Sequence, residues 1–162
     1  MKLARRPAGL AWIVAGLGFG AGLPAWAGTA EVRLVDPGQF ADAGNSPQHA
    51  KGNMEELGRH FQALAKKHLP PDQKVVIDVL DVDIAGSVSA QGGRVTRGKN
   101  DFPRMKLRYA LEAPGQPPRT GEDLLSDPDY ERGLSQRKDS VRLYFEKRMI
   151  DEWFVKTFVK KS

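Results

Sequence analysis

The sequence predicts an α+β fold, a small three- to four-stranded antiparallel or mixed sheet with two helices packed on one face. One observation is the order of periodic segments, which is β-α-β-β-(β)-α. Another is that each of the two helical segments carries one apolar face. The 162 residues, 40% of them hydrophobic and 28% charged, fit one globular domain. They exclude a fibrous chain, a fully disordered chain and a multi-span membrane protein.

The first half of the domain predicts a strand, a helix and a second strand. Glu31–Val35 alternates in polarity and indicates the first strand, and Asp36–Gly38 then turns the chain. Ser46-Pro47 is typical of a helix start, and Pro70-Pro71 ends that helix. Lys74–Ile84 is β-branched and apolar enough for a central strand. The helix carries apolar or ring side chains at three- and four-residue spacing: Met54, Leu57, Phe61, Leu64, Ala65 and His68.

The clearest strand alternation lies in Arg104–Glu112. Residues 86–103, with four glycines, and residues 113–119 predict mobile connections on either side of it. Asp123–Tyr130 predicts a short additional edge strand ending in a turn. The central strand of this region points core residues to one side (Met105, Leu107, Tyr109 and Leu111) and basic residues to the other (Lys106 and Arg108).

A long final helix is predicted over Val141–Val159. Phe145, Met149 and Trp153 share one face at four-residue spacing, and we expect that face to cover the sheet. The remaining surface carries charge pairs four residues apart, namely Lys147–Asp151, Arg148–Glu152 and Glu152–Lys156. A lysine cluster closes the chain and complements the helix dipole or, alternatively, contacts anionic lipid or another envelope polymer: Lys156, Lys160 and Lys161.

The first 27 residues have the organisation of a secretory signal peptide. Met1–Arg6 carries three positive charges and no acid, and Ala8–Leu23 has no charged residue. Ala25 and Ala27 are the small residues at the two positions that signal peptidase reads. We expect cleavage after Ala27, which leaves residues 28–162 as one periplasmic domain without a membrane span.

An uncleaved anchor is the alternative for this segment, because Ala8–Ala27 is just long enough to cross a bilayer. Five glycines and Pro24 weaken such a span. Arg5-Arg6 leaves the twin-arginine export route open, although Pro7 and the residues around it favour the general secretory route.

The formal net charge of +5 overstates how basic the exported protein is. Without Lys2, Arg5 and Arg6, 22 basic residues face 20 acidic ones, a net charge of about +2. This near balance argues against a nucleic-acid partner. The sequence has no cysteine, so the exported domain has no disulfide and no cysteine-linked lipid. We also expect no cofactor, because ATP and nicotinamides are not ordinarily available outside the cytoplasmic membrane.

Three motifs resemble a known family. They are Asp81–Gly86 (D-V-D-I-A-G), Phe102–Met105 (F-P-R-M) at the start of a strand, and Tyr144–Phe154 (Y-F-E-K-R-M-I-D-E-W-F). Together they are similar to a group of exported bacterial proteins known as the domain of unknown function 3016. The resemblance extends from about Glu31 to Phe158. It implies export and a single domain, and it supplies no catalytic residues.

Acidic residues on the predicted central strand are the best candidates for contacts with a ligand or partner. Asp81 and Asp83 with Gly86 match the start of a calcium loop, but Ala85 and Gly92 stand where further oxygen ligands belong. We therefore interpret these acids as cross-strand ion pairs with Lys106 or Arg108. The candidate contact residues are Asp78, Asp81, Asp83, Arg104, Lys106 and Arg108.

Other motifs carry little chemistry. Gly93–Asn100 has the glycine and lysine spacing of a phosphate-binding loop, but Asn100 replaces the Ser or Thr that holds Mg²⁺. His49, His60 and His68 lack the spacing of a helical metal pair. The sequence has no nucleophile-elbow motif and no cysteine nucleophile. We expect no metal site and assign no catalytic residue.

These observations favour a non-enzymatic binding or accessory module of the cell envelope, whose partner is an envelope protein or polymer. The rival hypothesis is an envelope hydrolase with a site around Asp81 and Asp83. A structural or stress-related envelope protein without a ligand is a further alternative. The sequence leaves the oligomeric state open.

Overall fold

A computed structural model of the chain describes residues 27–88, 94–95, 101–130 and 142–159. The predicted signal segment before Ala27 lies outside these residues. Among the helices described, none is both long enough and apolar enough to cross a membrane. In chain order the elements are β1 (Thr29–Leu34), a 3-10 turn (Pro37–Gln39), α1 (Pro47–His68), β2 (Lys74–Asp83), β3 (Ser87–Val88), β4 (Arg94–Val95), β5 (Arg104–Ala113), β6 (Gln116–Ser126) and α2 (Tyr144–Phe158).

The main sheet has four strands in the order β1-β2-β5-β6. β1 runs parallel to β2, because α1 carries the chain back across the sheet between them. β5 is antiparallel to both β2 and β6, while β3 and β4 form a separate two-stranded ladder. The predicted α+β fold with a mixed sheet and two helices is confirmed.

A β-bulge in β2 changes which residues face the core. The pairing register of β2 with β5 shifts between Val79 and Asp81. Before the shift the odd-numbered side chains, such as Ile77 and Val79, are buried. After it the even-numbered Val82 is buried instead.

The sequence-based prediction of a mobile connection over residues 113–119 was wrong. Pro114 and Gly115 form a tight turn, in which Gly115 has a φ of 68°, and β6 begins directly afterwards at Gln116. Pro117 and Pro118 lie within β6, at an irregularity in its pairing with β5. They are tolerated there because β6 is the last strand of the sheet within the described part of the chain, and a missing backbone N–H at such a position need not break the sheet. The short strand expected from Asp123 onward is the second part of β6.

The two helices bury their apolar faces on one side of the sheet. Ser46 caps α1 as predicted, its Oγ accepting a hydrogen bond from the His49 backbone N–H at 3.2 Å, with Pro47 as the first helical residue. Met149 and Trp153 of α2 lie in the main core with Met105 and Leu107, as expected from sequence. That core also contains Met54, Leu57, Phe61, Leu64, Ala65, Val75, Ile77, Val79, Val82, Ile150 and Phe154.

Three predicted core residues differ from the expectation. Phe145 is buried, but it packs in a second, smaller cluster with Ala85 and Tyr130. Tyr109 and Leu111 are only partly buried and pack against the margin of the main core. Phe145 differs because α2 begins at Tyr144 and its first turn lies beyond the main core, beside Ala85 at the end of the sheet where β2 finishes.

Polar side chains join α1 to α2 along their length. Asn53 Oδ1 accepts a hydrogen bond from Arg142 at 2.6 Å, and His60 Nε2 lies 2.7 Å from Asp151 Oδ1. Lys147 pairs with Glu56 at 2.5 Å, and Arg148 pairs with Asp127. Lys147, Arg148 and Asp151, which the sequence predicted to pair along α2, therefore bind other elements. Along α1, successive residues contact successively later residues of the α2 region: Asn53 contacts Arg142, Glu56 contacts Lys147 and His60 contacts Asp151. The two helices therefore run parallel.

Because of the Glu56 contact, the free energy of unfolding should fall as the pH becomes acidic. Hydrogen bonds from Lys147 and then Arg59 lower the pKa of the Glu56 carboxyl from 4.5 to about 2. A folded-state pKa below the unfolded value contributes stability above pH 4.5, and that stability is lost as pH falls towards 2. Since the side chain is partly solvated, Glu56→Gln should cost about 1 kcal/mol at neutral pH. Urea unfolding at several pH values checks this: the difference from wild type should vanish near pH 2, whereas Glu55→Gln, at an exposed site, should change little. A pH-independent difference would contradict the assignment.

Candidate functional site

The candidate contact residues all lie on the face of the sheet that the helices leave uncovered. Strict alternation along β2 would place Asp78 on the opposite side from Asp81 and Asp83. The bulge after Val79 reverses that alternation and brings the three acids to one face. Arg104, Lys106 and Arg108 of β5 lie beside them in the antiparallel register. We call these six residues and their β1 and β6 neighbours on this side the helix-free face.

The charges on this face neutralise one another. Asp78 pairs with Arg108 at 2.9 Å, and Asp83 pairs with Arg104 at 2.5 Å. The interpretation as cross-strand pairs is therefore confirmed for Arg108. Lys106 lies opposite Asp81 in the register, but its Nζ pairs with Glu122 of β6 at 3.0 Å. Each such exposed pair contributes at most about 1 kcal/mol, so their main effect is to leave few unpaired charges.

Asp81 binds the protein backbone. Its Oδ1 accepts hydrogen bonds from the N–H groups of Ala41 and Val82, each at 2.9 Å. The same connection pairs with β2 through Asp42, whose N–H donates to the Val82 carbonyl and whose carbonyl accepts from Ile84. Asp81 therefore fixes the chain between β1 and α1 against the edge of the sheet.

Charge alternates across the whole width of this face. Arg33, Asp78, Arg108 and Glu122 are successive register partners on β1, β2, β5 and β6. At the β1 edge, hydrogen bonds from Lys74 and Arg33 lower the pKa of Glu31. A surface of alternating, paired charges attracts neither cations nor anions strongly. Within the described ranges, no three His, Asp or Glu side chains cluster closely enough to hold a metal ion.

The other predicted motifs lie elsewhere. His60 contacts Asp151, and the His68 ring packs 6.3 Å from the Phe154 ring, which places both on the α1–α2 side. Gly86 of the calcium-like run donates its backbone N–H to Asp101 at 2.8 Å. Of the phosphate-loop-like run Gly93–Asn100, only Arg94 and Val95 are described, as β4; the other residues lie outside the described part of the chain.

An exposed apolar side chain on β6 was missed by sequence reasoning. Leu124 is 70% exposed, although its neighbour Leu125 is buried in the core. It projects from the helix-free face beside its register partner Lys106. The sequence does indicate that one leucine of this pair is exposed, because two adjacent residues in a strand point to opposite faces.

Leu124 lies on the terminal strand of the sheet, whose single strand neighbour among the described residues is β5. α2 holds this strand in place from the other face. Trp153 Nε1 donates to Asp123 Oδ2 at 2.9 Å, and Arg119 donates to the Thr157 carbonyl at 2.9 Å. The site is therefore an exposed terminal strand that α2 contacts from its other face and that paired charges flank.

The fold and this site define a small α+β domain with an exposed sheet face and edge. The chain belongs to the family described as protein of unknown function (DUF3016), whose model matches residues 28–156. This match confirms the resemblance of the three sequence motifs. No curated protein and no solved structure matches the chain. The contact roles of Asp78, Asp81, Asp83, Arg104, Lys106 and Arg108 remain predictions.

Proposed function

We propose that the protein is a non-enzymatic binding module of the cell envelope that takes an extended segment of another protein onto the edge of β6. The observation that carries this proposal is the exposed Leu124 on the terminal strand of the sheet. An added strand would gain backbone hydrogen bonds along the edge, and Leu124 would supply an apolar contact.

The neighbours of Leu124 favour a particular partner chemistry. Glu122 lies two residues away on the same face and pairs with Lys106, so a partner strand would meet an apolar side chain beside a neutralised pair. A segment with an apolar residue opposite Leu124 and uncharged residues on either side complements this pattern. The contacts of Asp123 and Arg119 with α2 reduce the entropy lost on binding, because they hold the strand before the partner arrives.

The hydrolase alternative has less support. A general acid or base needs a carboxyl group that can reach substrate and exchange a proton. Asp83 is engaged by Arg104, and Asp81 accepts hydrogen bonds from two backbone N–H groups. Both carboxylates therefore bind groups of the protein itself, whereas a hydrolase would need them to contact substrate.

Export is part of the proposal, and the start of the domain supports it. The family match begins at residue 28, directly after the predicted cleavage position. Gly28 is buried, and a Cβ atom there would lie 2.4 Å from Leu69 Cβ. The domain thus begins with a packed residue at the position that the predicted cleavage would leave as the N-terminus.

A photo-crosslinking residue at position 124 tests both parts of the proposal in the organism that makes the protein. We expect crosslinked products in the periplasmic fraction. In these products, the N-terminal sequence of this protein should begin at Gly28. The same group at Gln62, exposed on α1, should give no such product. A synthetic peptide of the crosslinked segment should bind the purified protein and lose at least about tenfold in affinity with Leu124→Lys.

Two matched variants distinguish peptide binding at the edge of β6 from peptide binding at the acidic residues. Leu124→Lys should leave the fold intact because the side chain is largely solvated, whereas Asp83→Asn should leave peptide binding intact. Binding that depends on Asp83 and not on Leu124, or crosslinking to a second copy of the chain, would overturn the proposed mode. Product that begins at Met1 and sediments with membranes would overturn cleavage and release.

A further inference from the structure

Because α1 and α2 run parallel, both helices end at the same end of the molecule. Their contacts ascend together, from Asn53 with Arg142 through His60 with Asp151. At the far end the His68 ring meets the Phe154 ring, near the last turns of both helices. We call this the helix-exit end.

The helix-exit end is basic. Lys66 and Lys67 lie exposed in the last turn of α1, and Lys156 lies exposed in the last turn of α2. Arg119 also reaches this end, since it donates to the carbonyl of Thr157 in α2. Asp72, in the turn after α1, is the acidic residue nearest in the chain to Lys66 and Lys67.

Gly28, the first buried residue in the described part of the chain, packs at this same end. A Cβ on Gly28 would contact Leu69 Cβ and the carbonyl oxygens of Leu69 and Pro70, which directly follow α1. The proposed cleavage after Ala27 would leave the α-amino group of Gly28 at this end, which also carries Lys66 and Lys67.

We propose that the helix-exit end is a membrane-facing surface that binds the headgroups of anionic phospholipids. The inference rests on the proposed export for its biological setting, but the lipid contact is a property of the folded domain. Each lysine near an anionic bilayer raises the affinity about fivefold, and several that act together hold a protein at the surface reversibly. The helix-free face, which is a side of the sheet and not this end, remains available to a protein partner.

Co-sedimentation of the exported protein with vesicles tests the proposal. We expect binding to vesicles that contain phosphatidylglycerol at low ionic strength, loss of binding as salt is raised, and no binding to phosphatidylcholine alone. Lys66→Gln/Lys67→Gln should weaken binding about tenfold to thirtyfold. Lys51→Gln/Lys106→Gln is the matched control, because it removes the same net charge from other exposed positions and should change binding less than about threefold.

Three results would overturn the proposal. Equal losses in the two double variants would show a dependence on net charge alone. Binding to neutral vesicles would show an apolar contact, and competition by inorganic phosphate would show a discrete phosphate site. Leu124→Lys should leave vesicle binding unchanged. Failure of the proposed lipid contact is therefore distinguishable from failure of the proposed strand binding. Thermal unfolding of each variant confirms that it is folded.

Discussion

Replacing Trp153 with alanine should lower the free energy of unfolding by about 3–5 kcal/mol. The side chain is 8% exposed and packs edge-on against the rings of Phe158 at 5.2 Å, Tyr109 at 5.8 Å and Phe61 at 6.1 Å. Truncation would leave a large cavity where both helices meet the sheet. It would also remove the Nε1 hydrogen bond to Asp123 that holds β6.

Denaturant unfolding monitored by circular dichroism measures this effect, and fluorescence provides an independent check. Trp12 and Trp26 precede Gly28, so Trp153 is the single tryptophan of the expected exported form. Its emission should be blue-shifted and should move to the red cooperatively on unfolding. Trp153→Phe should cost less because it keeps the ring contacts, and Val155→Ala, at an exposed position of α2, should cost under about 1 kcal/mol. Emission typical of tryptophan in water would contradict this placement of α2.

Adding one methyl group at Gly121 should destabilise the protein by about 2–3 kcal/mol. Gly121 lies opposite Tyr109 in the β5–β6 register, and its Cβ would lie 2.5 Å from Tyr109 Oη and 2.6 Å from Cζ. The tyrosine ring would have to leave the position in which it contacts Trp153 and Phe158. Gly121 is not among the glycines with positive φ, so the requirement is for space.

A second glycine, Gly58, provides the control for Gly121→Ala. Gly58 lies within α1 with nothing within 4 Å of its Cβ position, so Gly58→Ala should stabilise the protein by up to about 1 kcal/mol. The same Gly-to-Ala change therefore has opposite signs at the two sites. Gly121→Ala should also cost little once Tyr109 is replaced by leucine. A full-sized loss in that double variant would show that the Tyr109 contact is not the cause.

The acidic residues of the helix-free face resembled a binding site in the sequence because the groups that neutralise them lie on distant segments. Asp78, Asp81 and Asp83 are dense along the chain, and cross-strand pairing predicted Arg108 as a partner but did not indicate the partners of Asp81 and Asp83. Asp81 binds Ala41, far from it in sequence, and Asp83 binds Arg104 on the neighbouring strand. The exposed Leu124 was overlooked for the converse reason: its exposure depends on which of two adjacent leucines turns inward.

The sequence alone determined the elements whose information is local. The Ser46-Pro47 cap, the apolar periodicity of α1 and the alternation of Arg104–Glu112 each depend on neighbouring residues, and the structure contains all three. The buried placement of Met149 and Trp153 followed from the same periodicity.

Tertiary structure decided everything that depends on pairing between distant segments. β6 contains Pro117 and Pro118, and the sequence indicates a loop there; the strand forms because β5 supplies hydrogen bonds and the prolines lie at an edge. The bulge after Val79 is likewise a property of pairing, since the register shift lets both Val79 and Val82 reach the core. That shift decided that three aspartates share one face, because alternation has a fixed period only while the register holds.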